Sequence, residues 1–242
     1  MNSLSQTSPR LFVRITGGVY LIYFLLAIVG EFFIRQAGLT GISGPPDDAA
    51  VTANLILSHE SELRAGWAIT LASTACYGAL TALLYELFRP VNSTVALIAA
   101  VFSFIAVAVQ AFGSVFQLAR LVILGGAPYL STFTTDQLQS LALLMLDLRA
   151  LAGSVQLGVF AFFLLLLAYL IYRSTFLPRA LGAMIALAAV GWLLFLSPPL
   201  AQVLMSYIEV VGFVAEAALM LWLLVMGVNA ERWIRLVSEA RA

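Results

Sequence analysis

Along the chain, long apolar runs alternate with short polar breaks. Six runs, near residues 12–34, 64–88, 92–124, 137–172, 178–197 and 203–228, are long enough to span a bilayer. Crossing takes about 20 apolar residues as a helix. A membrane strand would instead need about ten residues of strict alternation, which none of the runs shows. The longest break, residues 35–63, opens with the turn-rich QAGLTGISGPPDD. Pro46 and Asp47 there suit the start of a short helix near 47–59. In TFTTDQLQ, Gln137 follows Thr134 at the spacing of a capping box. Pro198 and Pro199 mark the start of the last helical region. No repeat or second composition is visible, so residues 1–242 read as a single all-α domain of six transmembrane helices.

Composition fixes the medium. The chain is 62% hydrophobic and 10% charged, with mean hydropathy +1.03, whereas soluble proteins carry about 25% charged residues. It reads as an integral membrane protein whose first partners are lipids. All basic residues are arginine and the net charge is zero, which gives no case for nucleic acid. The single cysteine, Cys76, excludes an internal disulfide, and the single histidine, His59, excludes a His-rich zinc or haem site within one chain. Arg10 and Arg14 precede the first run as in a signal peptide. That run is long for one, and Glu31 to Arg35 follow without a small-residue cleavage site, so a retained helix is expected.

The arginines also orient the chain. With the N-terminus in the cytoplasm, the inner side receives Arg10, Arg14, Arg89, Arg173, Arg179, Arg232, Arg235 and Arg241. The outer loops receive Arg35 and Arg64, accompanied by Asp47, Asp48, Glu60 and Glu62. Basic residues favour the cytoplasmic side, so both termini are expected there. In LIYRSTFLPRALG, Arg173 and Arg179 mark an inner turn and Pro178 opens the fifth helix. An anchor to lipid phosphates accounts for them more simply than a dedicated anion site.

The pattern Tyr-Leu-Ile-x-Arg-Ser-x-Phe-Leu-Pro-Arg-x-Leu-Gly, from Tyr169 to Gly182, resembles the fourth-to-fifth helix hairpin of the bacterial membrane family called domain of unknown function 4386. RITGGVYLIYFLLAIVGEFFIR, ESELRAG, FRPVNSTVALIAAVF and GAPYLSTFTTDQLQSLALLMLDLRA extend the resemblance over nearly the whole chain. It implies six helices in a bacterial inner membrane and no assigned chemistry. The chain departs from the pattern at Ala161, Phe162 and Phe163, where a Gly-Leu-His is common, and at Ser103 or Phe104, where an arginine is common.

Candidate chemistry lies in the polar side chains inside the apolar runs. Glu216 is 13 residues before Asn229, roughly 20 Å into a core about 30 Å thick. A carboxylate that deep must be protonated, paired or facing a wet cavity. Glu209 precedes it by one heptad and Gln202 by two, so Glu209, Gly212 and Glu216 share a helix face. Gln110, Ser114 and Gln117 share another, with Arg120 adjoining, and Arg149, Gly153 and Gln156 a third. The third and fourth helices are longer than a crossing requires, which places Arg120, Asp147 and Arg149 near the outer interface. These faces are expected to converge on an outward-facing polar pocket, with Glu216 at its floor and Arg120 and Arg149 at its mouth. Glu31 and the loop bearing His59 are candidates to cover it.

Enzyme chemistry finds little material. His59 is the sole imidazole, and no serine has a base near it in sequence. Gly17-Gly18 and Gly125-Gly126 lack the strand–turn–helix setting of a nucleotide loop and suit helix packing and a turn. Glu209, Glu216, Asp147 and Glu31 without histidine make a poor metal set, so no metal or cofactor is expected. Binding of a small or lipid-like ligand accounts for the polar faces best. A small proton-coupled transporter using Glu216 remains open, as does a structural or accessory protein whose polar residues only join helices. The sequence designates no protein partner.

Overall fold

The structure, a computed structural model, describes residues 9–36 and 48–239, without the side chains of Gln36, Pro198 and Gln202. Every described regular element is helical: α1 Pro9–Gln36, α2 Ala49–Ser58, α3 Glu60–Phe88, α4 Ser93–Leu124, α5 Thr135–Arg173, α6 Arg179–Leu193, α7 Pro198–Leu221 and α8 Ala230–Glu239. Among the described residues, six helical segments are long and apolar enough to cross a membrane. The protein is a polytopic all-α membrane protein.

Polar residues end the helices by taking up orphan backbone groups. The Asp48 carboxylate accepts from Ala50 N and Val51 N to open α2. The expected start at Pro46 and Asp47 lies outside the described residues. At α5 the capping box closes both ways: Thr134 N donates to Gln137 Oε1 at 2.9 Å and Gln137 N to Thr134 Oγ1 at 3.3 Å. A 3-10 turn, Leu194–Leu196, ends the α6 region before α7, and a π-helical turn, Trp222–Met226, ends α7 at Gly227 with φ +70°. Only glycine adopts that backbone cheaply.

The chain divides into two compact units. The first comprises residues 1–23, 76–106 and 157–242. In lipid, apolar side chains gain little by leaving the bilayer, so helices associate through close packing of small residues. Gly17 is such a contact, since a Cβ there would stand 2.5 Å from Leu224 N. Gly182 likewise would meet Ala168 O at 3.0 Å, and Gly212 the Trp192 ring at 2.7 Å. The polar break between α5 and α6 is tied down in this unit. Arg232 Nη1 donates to Thr175 O at 2.9 Å, Asn229 N to Phe176 O at 3.3 Å, and Arg179 lies 5.3 Å above the Tyr172 ring.

The second unit comprises residues 24–75 and 107–156. Its apolar core is Ile56 of α2, Leu63 of α3 and Leu121 of α4, with Ile34 and Leu146 packed against them. The short helix α2 thus contributes to packing and is more than a surface connection. A Cβ on Gly30 would lie 3.0 Å from Thr70 Oγ1, which marks the close approach of α1 and α3.

Candidate functional site

Each unit holds its own polar cluster. In the first, α7 buries Glu216, and Tyr20 of α1 donates its hydroxyl to Glu216 Oε2 at 2.8 Å. Tyr23 of α1 and Tyr77 of α3 lie within electrostatic reach of the same carboxylate. Their rings meet edge to face at 4.6 Å, and Tyr20 lies 6.1 Å from Tyr23. Glu216 is ten residues from Met226, the end of its span, or about 15 Å along the axis. There an ionised, unpaired carboxylate would be expensive, and the Tyr20 hydroxyl meets part of its need. Gly212, on the same face, lies against Trp192, and Glu209 one turn before it is half-buried. The side chain of Gln202, the next member of that stripe, lies outside the described residues.

In the second unit α4 carries three buried polar residues: Ser114, Gln117 and Arg120, the last only 2% exposed. Ser114 Oγ donates to Ala111 O at 2.6 Å, and Arg120 Nε to Gln117 O at 3.0 Å. Gln117 Nε2 and Arg120 Nη1 are buried without a hydrogen-bond partner among the described residues. From α5, Arg149 lies over Gly113 of α4, where a Cβ would come within 3.9 Å of its Cδ and Nη1. Arg120 and Arg149 are within electrostatic reach of each other, and Arg149 of Glu31.

The other candidates sit differently. Gln110 and Gln156, both in the second unit, are half-buried, and Asp147 is exposed. His59 ends α2, its Nδ1 3.1 Å from Leu55 O and 3.0 Å from Ser58 Oγ, so its polar contacts are local. Among the described residues no three His, Cys, Asp or Glu gather as a metal site. A small recess of about 10 Å³ in the first unit is lined by Thr81, Leu84, Phe88, Ala99 and Phe163, among others, and by none of the predicted site residues.

Sequence reasoning missed Tyr20, Tyr23 and Tyr77. Tyrosine inside an apolar run reads as packing or interface, and Tyr20 and Glu216 are 196 positions apart. One signal was present: Thr16, Tyr20 and Tyr23 recur at i, i+4 and i+7, a polar stripe on one face of α1. Thr16 and Tyr20 on that stripe are buried.

No curated protein and no solved structure matches the chain. The family described as Domain of unknown function (DUF4386) matches residues 15–227. That range runs from the second turn of α1 to the glycine after the π turn, taking in both polar clusters and the α5–α6 turn that carries the Tyr169–Gly182 pattern. The chain belongs to the DUF4386 family.

Proposed function

We propose that the protein binds a small or lipid-like molecule at the polar face shared by α4 and α5 in its second unit. The observation that carries this reading is that two donors on α4, Gln117 Nε2 and Arg120 Nη1, are buried without partners among the described residues. Polar residues that merely join helices satisfy one another, as Thr81 and Ser103 do at 2.7 Å in the first unit. A buried guanidinium with an unused N–H is poor glue and a good receptor.

The reading includes a bacterial inner-membrane setting, both termini in the cytoplasm and a binding face directed outward. The arginines support that orientation: Arg10, Arg14, Arg89, Arg173, Arg179, Arg232, Arg235 and Arg241 fall at the ends and turns that it puts inside, and Arg35 and Arg64 at those it puts outside.

Native mass spectrometry of the protein released from its own membranes tests the reading. The expected spectrum shows a discrete retained adduct, present in Glu216→Gln and lost in Arg120→Gln. Bare wild-type protein throughout would overturn it. If Arg120→Gln were then destabilised, the residue would instead be structural.

One observation favours a second reading, a proton-coupled carrier: Glu216 is buried against Tyr20 in mid-helix, where gain and loss of a proton would be felt strongly. Proteoliposomes under a pH gradient would then acidify through the wild type and not through Glu216→Gln.

A further inference from the structure

The second unit contains four arginines. Arg35 pairs with Glu31 at 2.8 Å and Arg64 with Glu60 at 2.7 Å, each along its own helix. Arg120 and Arg149 make no ion pair among the described residues, yet they feel each other's charge. The carboxylate that Arg149 senses, Glu31, is already engaged by Arg35. Asp147 stands two residues before Arg149, hence on a different side of α5, and is exposed.

Two like charges on neighbouring helices repel, and between apolar spans water screens them poorly. A bound water could accept from the orphan N–H groups but would leave that repulsion in place. Of the four buried side-chain atoms without a partner among the described residues, two, Arg120 Nη1 and Gln117 Nε2, lie together on α4, and both are donors. The Ser114 hydroxyl proton is spent on Ala111 O, which leaves its oxygen as an acceptor only. An acceptor that also carries negative charge answers the donors and the repulsion together.

Small residues bring α4, α5 and the Arg149 guanidinium close together. A Cβ on Gly113 would stand 3.0 Å from Ala152 Cβ, and one on Gly153 3.3 Å from Arg149 Nη1. On the same two helices Phe112, Val115, Leu151 and Val155 are exposed apolar side chains. A charged group at Arg149 would therefore have hydrocarbon-compatible surface beside it.

We infer that Gln117, Arg120 and Arg149 form a receptor for one anionic group, a phosphate or carboxylate. Guanidinium forks bind both through paired N–H bonds, and a lipid head group or a free anion presents the same chemistry. The inference rests on the binding reading above and names the charge of what is bound.

The test uses the full chain in micelles of dodecyl maltoside, which carries neither phosphate nor carboxylate. Melting temperature is followed as phosphatidylglycerol is introduced into the micelles, and separately as inorganic phosphate or acetate is added. The expected result is a rise that saturates, since a ligand of the folded state stabilises by mass action. A response to phosphatidylglycerol alone assigns the head group of a lipid; a response to phosphate or acetate assigns a free anion. Arg149→Gln should weaken half-saturation about tenfold, the worth of one charge-assisted hydrogen bond, and Arg149→Lys should restore part of it. No response to any anion, with a neutral adduct retained in native mass spectra, would overturn the anionic assignment while leaving the binding reading intact. No response and no adduct would overturn both. The wild-type titrations decide even if a variant fails to fold.

Discussion

Gly17 and Gly18 are adjacent and chemically identical, and the structure gives them opposite work. A Cβ on Gly17 would collide with the backbone of Leu223 and Leu224, whereas one on Gly18 would meet nothing within 4 Å. Backbone cannot swing aside as a long side chain can, so Gly17→Ala must push α1 away from the π turn. Overpacking of that kind costs about 1–3 kcal/mol. Gly18→Ala should be neutral or stabilising by up to about 1 kcal/mol, the helix propensity of alanine over glycine. Melting of both variants in one detergent checks the pair, and equal behaviour would contradict the close approach. The double glycine was legible in the sequence as a packing signal, but which glycine carries it was not, because that depends on what lies across the seam. Tyr20 was illegible for a related reason, its partner being on the last span. Tyr20→Phe removes the donor to Glu216 Oε2 and should cost about 1–3 kcal/mol, the range for stranding a buried polar group. In a double-mutant cycle with Glu216→Met the two losses should fall short of additive.

At the scale of the element, hydropathy located the spans and overlooked α8. That helix is amphipathic and polar on average, so a search for apolar runs passes over it. A period-3.6 reading of AERWIRLVSE would have found it, with Trp233, Leu236 and Val237 on one side. Its attachment is specific. Trp233 Nε1 donates to Leu87 O at 3.2 Å, and Asn229 Oδ1 accepts from Arg232 N at 3.1 Å to cap the helix. The short π turn before it was invisible for another reason: it lies where Leu224 meets Gly17 and just before Gly227 takes a positive φ, features that an apolar run does not announce. Removing the cap by Asn229→Ala should cost α8 about 1 kcal/mol. Hydrogen exchange should then quicken at the amides of α8 by roughly fivefold and stay unchanged in α6. An equal rise in both would mean that α8 does not open by itself.

On the scale of the whole molecule, Glu216 belongs to the first compact unit and Arg120 and Arg149 to the second. Helical-face arithmetic finds which residues of one helix lie together; it says little about which faces of different helices meet. Charge distribution is the property that survives from chain to molecule, because it depends on where arginines fall relative to the spans and not on how the spans pack. It leads to a test that needs no ligand. Cys76 is the sole cysteine, so Cys76→Ala provides a thiol-free background. Ser131 and Thr175 are both exposed and bracket α5, one in the arginine-free turn before it and one between Arg173 and Arg179. With the termini inside, a membrane-impermeant maleimide should label Ser131→Cys in cells whose outer membrane is breached. Thr175→Cys should react only after the inner membrane is opened. The reverse pattern would turn the protein over and direct the α4–α5 polar face inward. Labelling of both from outside would mean that α5 does not cross, and the anionic group would then have to be sought among water-soluble molecules instead of lipids.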